Sequence, residues 1–237
     1  MNKYISLLVL LTTFLCSCNE GANNKREDKS DSLKSNELTI KTDSLKIELE
    51  KNLVFFADTL LHGKRDLIKN YVIRYQPDTC GIIVYPDTLL KSEFEGIKGL
   101  VDINGNKIID SVFVIPPFNY CDEGESYCFF DKSLPRLFTD SYCCQPDNLF
   151  VVDDIDEDGI KEIGIFYSTC VSRYKSLRIY SLKNNSWNEI GTSTFDIQTQ
   201  DPTTIQFEKL VKKTSKNKFT ICEFNDGKTE WIEQTMK

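Results

Sequence analysis

Two hydrophobic periods divide this chain. Before Gly63, apolar residues recur at steps of three and four; beyond Gly81 they come in short runs broken by turn residues. Leu45, Leu49, Leu53, Phe56 and Leu60 share one helical face, and Gly63 offers a stop, so a helix is expected over 43–62. A second short helical or extended piece follows over 65–75 before Pro77-Asp78 turns the chain. Strands are then expected over 81–85, 97–102, 107–115, 126–131, 149–152 and 162–168. Five more follow over 175–182, 187–197, 204–211, 218–224 and 228–232. Lys183-Asn184-Asn185-Ser186 and Asn225-Asp226-Gly227 read as hairpin tips. Trp187 and Trp231, just beyond such tips, read as packing aromatics of strands. The expected fold is mainly β: an antiparallel meander of blade-like units or a sandwich, behind one N-terminal helix. A complete propeller is too large for this length.

The first residues of the chain carry an address. Lys3, the apolar run from Ile5 to Leu15 and the small residue Ser17 form a secretory signal over 1–17. That run is too short to span a bilayer. Leu15-Cys16-Ser17-Cys18 resembles a bacterial lipobox, which implies cleavage before Cys18 and its lipidation, with palmitate among the expected acyl groups. Residues 18–41 are polar and nearly free of aromatics, the composition of a flexible tether. Residues 42–237 suffice for one β-rich domain with a proper core. Asn19 is not an inner-membrane retention aspartate, so the resemblance places the protein on the outer membrane, with the side it faces left open.

The chemistry concentrates in Asp153 to Tyr167. Asp154, Asp156, Asp158 and Glu162 stand at positions 1, 3, 5 and 9 of a loop whose sixth residue is Gly159. Alternate spacing aims side-chain oxygens at one centre, and the glycine permits the turn that returns the ninth residue to it. Such an oxygen cage suits Ca²⁺. An EF-hand is excluded, since its bidentate acid at position 12 is here Ile165 and the following pattern is a strand's. Asp102, Asn104, Asn106 and Asp110 repeat the four positions 52 residues upstream, with Lys107 in the glycine place and two carboxylates only. The alternative for that copy is a plain hairpin around Asn104-Gly105. Both loops resemble the FG-GAP and VCBS-type repeats of integrin-like propellers and bacterial surface proteins. The resemblance implies calcium ligation by the second set, less completely by the first, and a strand entering a sheet after each.

Nine cysteines sharpen the picture. Outside the cytoplasm, those beyond Cys16 and Cys18 are expected mostly in disulfides. Cys121 with Cys128 would close the acidic loop Asp122-Glu123-Gly124-Glu125, and Cys143 or Cys144 with Cys170 would bracket the strong loop. Seven is odd, so a thiol is left over. No Cys-x-x-Cys and no second histidine support zinc or redox work.

Charge and motifs narrow the function classes. The net charge is −7, or −8 once Lys3 leaves with the signal, which disfavours nucleic acid as a partner. Phosphate loops, dinucleotide fingerprints and the Gly-x-Ser-x-Gly elbow are absent. A nucleophilic triad would need His62, the one histidine, which falls at the helix end as a solvent-facing cap. The chain therefore reads as a non-enzyme, with a carboxylate-based hydrolase as the enzymatic alternative. The leading expectation is a calcium-stabilised, lipid-anchored binding or scaffolding module that contacts an envelope protein or glycan. Its contact surface is expected in the long aromatic segment 118–142, at Tyr120 and Tyr127, with Phe129 and Phe130 as packing residues. The alternative is an inhibitor or immunity-type lipoprotein acting on a cell-wall hydrolase.

Overall fold

The computed structural model describes residues 29–68, 80–167 and 170–236. The expected signal 1–17, Cys18 and most of the piece at 65–75 lie outside them. The chain divides into two units, Met1–Ile40 and Lys41–Lys237. In the first, residues 29–40 are helical, because α1 spans Lys29–Phe55. The helix thus begins well before Asp43, and the last part of the segment read as a tether is helical. No glycine or proline interrupts the chain between Gly21 and Gly63, and its polar residues limit burial rather than helicity.

In the second unit, α1 ends in a π turn over Phe56–Leu60 that buries Phe56, Ala57 and Leu60. His62 and Gly63 then take φ of 52° and 84°. Gly63 N donates to Ala57 O at 2.9 Å and closes the helix. His62 is exposed there, as expected of a cap. A short helix α2 (Asp87–Phe94) follows Pro86 and buries Leu90 and Phe94, one turn apart. This element was absent from the pattern reading, since eight residues give a helical period too little length to declare itself.

The strands form two sheets. The smaller has the order β1 (Lys98–Gly99), β2 (Ser111–Ile115), β3 (Ser126–Phe129), β4 (Leu137–Phe138). The larger contains β5 (Leu149–Val151), β6 (Ile163–Tyr167), β7 (Tyr174–Lys183) and β8 (Ser186–Asp196) as an antiparallel meander. β10 (Lys218–Asn225) joins β8 by one parallel pair, Phe224 to Phe195, and is flanked by β9 (Val211–Ser215) and β11 (Lys228–Thr235). The β-rich, antiparallel class with an N-terminal helix is therefore what the chain adopts, with no closed barrel among the described residues. Both expected hairpin tips are tight turns: φ is 52° and 58° at Asn184 and Asn185, 48° and 77° at Asp226 and Gly227.

Two expected strands dissolve. At 81–85 there is one bridge, Ile82 to Asn119. The expected strand at 204–211 is instead two 3-10 turns, Pro202–Thr204 and Phe207–Leu210. Asp201 caps the first by accepting from Thr203 N at 2.9 Å. In the second, Phe207 stacks on Phe166 with centroids 4.8 Å apart, a contact that favours the turn over extension.

The larger sheet is apolar on both faces. Ile163, Ile165 and Tyr167 of β6 join Phe56 of the π turn and Phe113 of β2 in one core. Phe166 of the same strand joins Leu177, Phe195, Phe219 and Ile221 in a second. Hence Ile-Gly-Ile-Phe-Tyr is buried at every position, the continuous apolar run of a strand covered on both sides. Each large side chain so buried contributes roughly 1.5–3 kcal/mol. The strong acidic loop is the connection between β5 and β6, so both cores hold its ends.

Candidate metal centre

The two loops are copies in backbone as well as in sequence. In the second, Asp154 Oδ1 accepts from Asp158 N at 3.1 Å and Oδ2 from Gly159 N at 2.9 Å. Asp156 Oδ1 accepts from Asp158 N, and Asp158 Oδ1 from Ile160 N. Glu162 Oε2 accepts from Ile155 N at 2.5 Å. In the first, Asp102 accepts from Asn106 N and Lys107 N, Asn104 from Asn106 N, and Asn106 from Ile108 N. Asp110 Oδ2 there accepts from Ile103 N at 2.8 Å. Each of these five bonds recurs at the same pair of loop positions, and the first loop adds one from Gly105 N to Asp102 Oδ1 at 2.8 Å.

Left-handed backbone recurs too, at positions 4 and 6: Gly105 and Lys107 have φ of 75° and 67°, Glu157 and Gly159 of 63° and 91°. Lys107 in the glycine place therefore leaves the turn intact, and one glycine per loop suffices. The loops also touch, since Lys161 N donates to Ile103 O at 2.7 Å.

Their centres differ in charge. Asp154, Asp156 and Asp158 each bring an oxygen within 4.8 Å of the others. Glu162 is 1% exposed, and its burial lifts the carboxyl to about 7, against the opposing bond from Ile155 N. Two ammonium groups answer these acids. Lys183, the last residue of β7, pairs with Asp156 and lies 2.7 Å from Asp158 Oδ2. Lys213 of β9 donates to Asp154 O at 2.7 Å and to Glu157 at 3.0 Å. Burial works against ionisation of Asp158, yet Lys183 and the Ile160 N–H hold its carboxyl below the ordinary range.

The first loop has amides where the second has acids. Asn104 Nδ2 and Asn106 Nδ2 both donate to Asp131 Oδ2, at 2.8 and 2.6 Å, and Asn104 Nδ2 also reaches Ser133 Oγ. Asp131 lies below its usual range, chiefly through the Ser133 N–H. Asp110 lies above it through burial. Asp131, Lys183 and Lys213 share no spacing with the loops, because Lys183 and Lys213 come from β7 and β9 and Asp131 from the turn after β3.

The donor set fits a hard divalent cation. It is oxygen throughout, and the Oδ2 of Asp156, 8% exposed as a residue, meets the Lys183 ammonium, a cation already drawn to this position. If such an ion binds, Asp154, Asp156, Asp158 and Glu162 are the residues that would hold it, and it would supply charge neutralisation rather than a reaction.

Cys121 bridges to Cys80, not Cys128, with Cα atoms 5.5 Å apart. Cys128 sits in the core within β3, paired opposite Phe113 and 0% exposed, so it faces away from that corner. Cys143 bridges to Cys170, Cα atoms 5.6 Å apart, and brackets the strong loop as one of the two expected pairings does. Cys144 is a buried thiol, pushed up to about 12 by its desolvation, which makes it inert.

Tyr120 is 74% exposed and available for contact, but Tyr127 is 1% exposed and donates its hydroxyl to Gln145 O. Tyr127 is therefore a core residue, not a contact residue. The segment 118–142 holds β3 and β4 rather than one long loop. Phe129 packs on Trp187, and Phe130 sits edge-on to Phe113, as expected of packing residues. Trp187 is buried, while Trp231 is half-exposed beneath the Lys212 ammonium at 3.8 Å. Among the described residues no helix is long and apolar enough to cross a membrane.

Compared with known proteins, the chain matches no family model, no curated protein and no solved structure.

Proposed function

We propose that this chain is a lipid-anchored protein of the bacterial cell envelope whose β domain is stabilised by calcium and serves as a binding or scaffolding module. The observation that carries the reading is the convergence of Asp154, Asp156 and Asp158 within 4.8 Å on a loop closed by Glu162. The loop resembles those of FG-GAP and VCBS-type repeats, and its work is structural: a cation there would tie β5 to β6. Tyr120, Phe138 and Tyr142, exposed by 74%, 53% and 60%, offer the apolar surface for an envelope protein or glycan.

Calcium titrated into the full chain in a calorimeter should give saturable heat, with a Kd of roughly 10⁻⁴ to 10⁻³ M, the range of extracellular modules. The Asp156→Ala, Asp158→Ala double variant should lose it; equal heats in both proteins would remove calcium from the account. Membrane fractionation tests the anchor separately. Cys18→Ser should move the protein from the membrane pellet to the soluble fraction, and its retention in the pellet would contradict lipidation.

A further inference from the structure

We infer that Lys183 is a tethered cation, whose ammonium stands where a divalent ion would bind in the second loop and must leave for the ion to enter. The inference rests on the cation reading of that loop and adds what sets its affinity.

Three observations converge on it. First, one ammonium bridges positions 3 and 5: Lys183 pairs with Asp156 and with Asp158 Oδ2. The Asp156 oxygen it meets is buried, and this ammonium is the positive charge set against it. Second, Lys183 is fixed by backbone. It ends β7, pairs with Ser186, and precedes the two left-handed residues of the tight turn, Asn184 and Asn185. An ammonium held at a strand end is placed with far less freedom than one on a loop.

Third, the first repeat closes its loop from the equivalent place. Phe130 N bonds Ser111 O, as Tyr180 pairs with Ile163, so the third strands start in the same register. β7 then runs on to Lys183, whereas β3 ends at Phe129, and Asp131 and Ser133 stand in the turn that follows, at the matching distance along the chain. Ser133 and the nearby Asp131 accept from the amides of Asn104 and Asn106, the same positions 3 and 5. Amide donors meet a carboxylate in one copy, and carboxylates meet an ammonium in the other. Each repeat thus carries, at the end of its third strand or in the turn just beyond it, a group opposite in kind to its loop.

The consequence is a loop that holds its shape without metal and admits metal weakly. A positive charge within a few ångströms of an entering cation opposes it strongly even at a partly screened site. Lys183→Met should therefore raise calcium affinity at least tenfold, measured by calorimetry with calcium chloride on the full chain. Lys183→Arg, which keeps the charge, should stay near wild type. Lys213→Met should change affinity by no more than about threefold, because Lys213 bonds Asp154 O and Glu157 instead of the trio. The Lys183 side chain is 45% exposed, so its truncation leaves the core intact.

Tighter binding by Lys183→Met alone supports the inference. Unchanged affinity in that folded variant overturns it while leaving the calcium reading in place. Binding by Lys183→Met but none by wild type sustains the tethered cation and overturns calcium as the native stabiliser. No binding by either protein overturns both.

Discussion

Replacing both cysteines of either bridge by serine lowers the unfolding free energy by about 3.5–4 kcal/mol, the loop-closure entropy returned to the unfolded chain. The Cys80–Cys121 bridge should have the larger effect, because its partners lie 41 residues apart against 27 for Cys143–Cys170. Against a total stability of 5–15 kcal/mol for ordinary domains, either loss is a large fraction. The Cys143–Cys170 bridge has a second role, since it ties the segment entering β5 to the chain leaving β6. Chemical denaturation of the oxidised protein and the two double-serine variants measures both losses. Cys144→Ser serves as the control, as this buried thiol closes no loop. Equal midpoints for the wild type and the double variants would contradict the predicted constraint.

The next largest effect is a pH dependence set by Glu125. This carboxylate is 7% exposed, and desolvation lifts it from 4.5 to about 7 against the opposing bond from Cys144 N at 2.7 Å. The folded carboxyl keeps its proton at a pH where the unfolded one has released it. Its contribution to stability is thus full below about pH 4.5 and declines as pH rises through about 7. Glu125→Gln keeps an acceptor for Cys144 N and carries no charge to bury. The variant should exceed wild type by up to about 3 kcal/mol at pH 8, with the gap closing toward pH 4.5. Parallel stability curves for the two proteins between pH 5 and 8 would refute this assignment.

The two loops were legible because their chemistry is local: alternate oxygens, one glycine and the strand that follows all lie within a dozen residues. Five of their backbone bonds recur at matching positions, including at Lys107, where the pattern had suggested a defect. The strand meander was legible for the same reason, from period two and turn residues. What could not be read was set by distance along the chain. Lys183 lies 25 residues beyond Asp158, and Asp131 lies 25 beyond Asn106, so neither shares a spacing with the loop it completes.

Burial on both sides of a strand hid other residues. β3 is buried at all four positions, so Tyr127 and Cys128 belong to the core although they sit in a polar, turn-rich stretch. That burial also explains why Cys121 takes Cys80: Gly81 O bonds Tyr120 N at 3.0 Å and brings the two corners together. Proximity in sequence had suggested Cys128. The 3-10 turn at Phe207–Leu210 replaced an expected strand because Phe207 finds Phe150, Phe166 and Phe195 across the second core.

The cation account is tested most directly by thermal melting of the full chain in millimolar calcium and in chelator, alongside the Asp156→Ala, Asp158→Ala variant. Calcium at ten times a Kd in the expected range adds about 1.4 kcal/mol, so the wild-type midpoint should rise by several degrees while the variant's stays in place. A wild-type midpoint that is the same in calcium and in chelator would contradict the account and leave Lys183 as the counter-charge of the three aspartates.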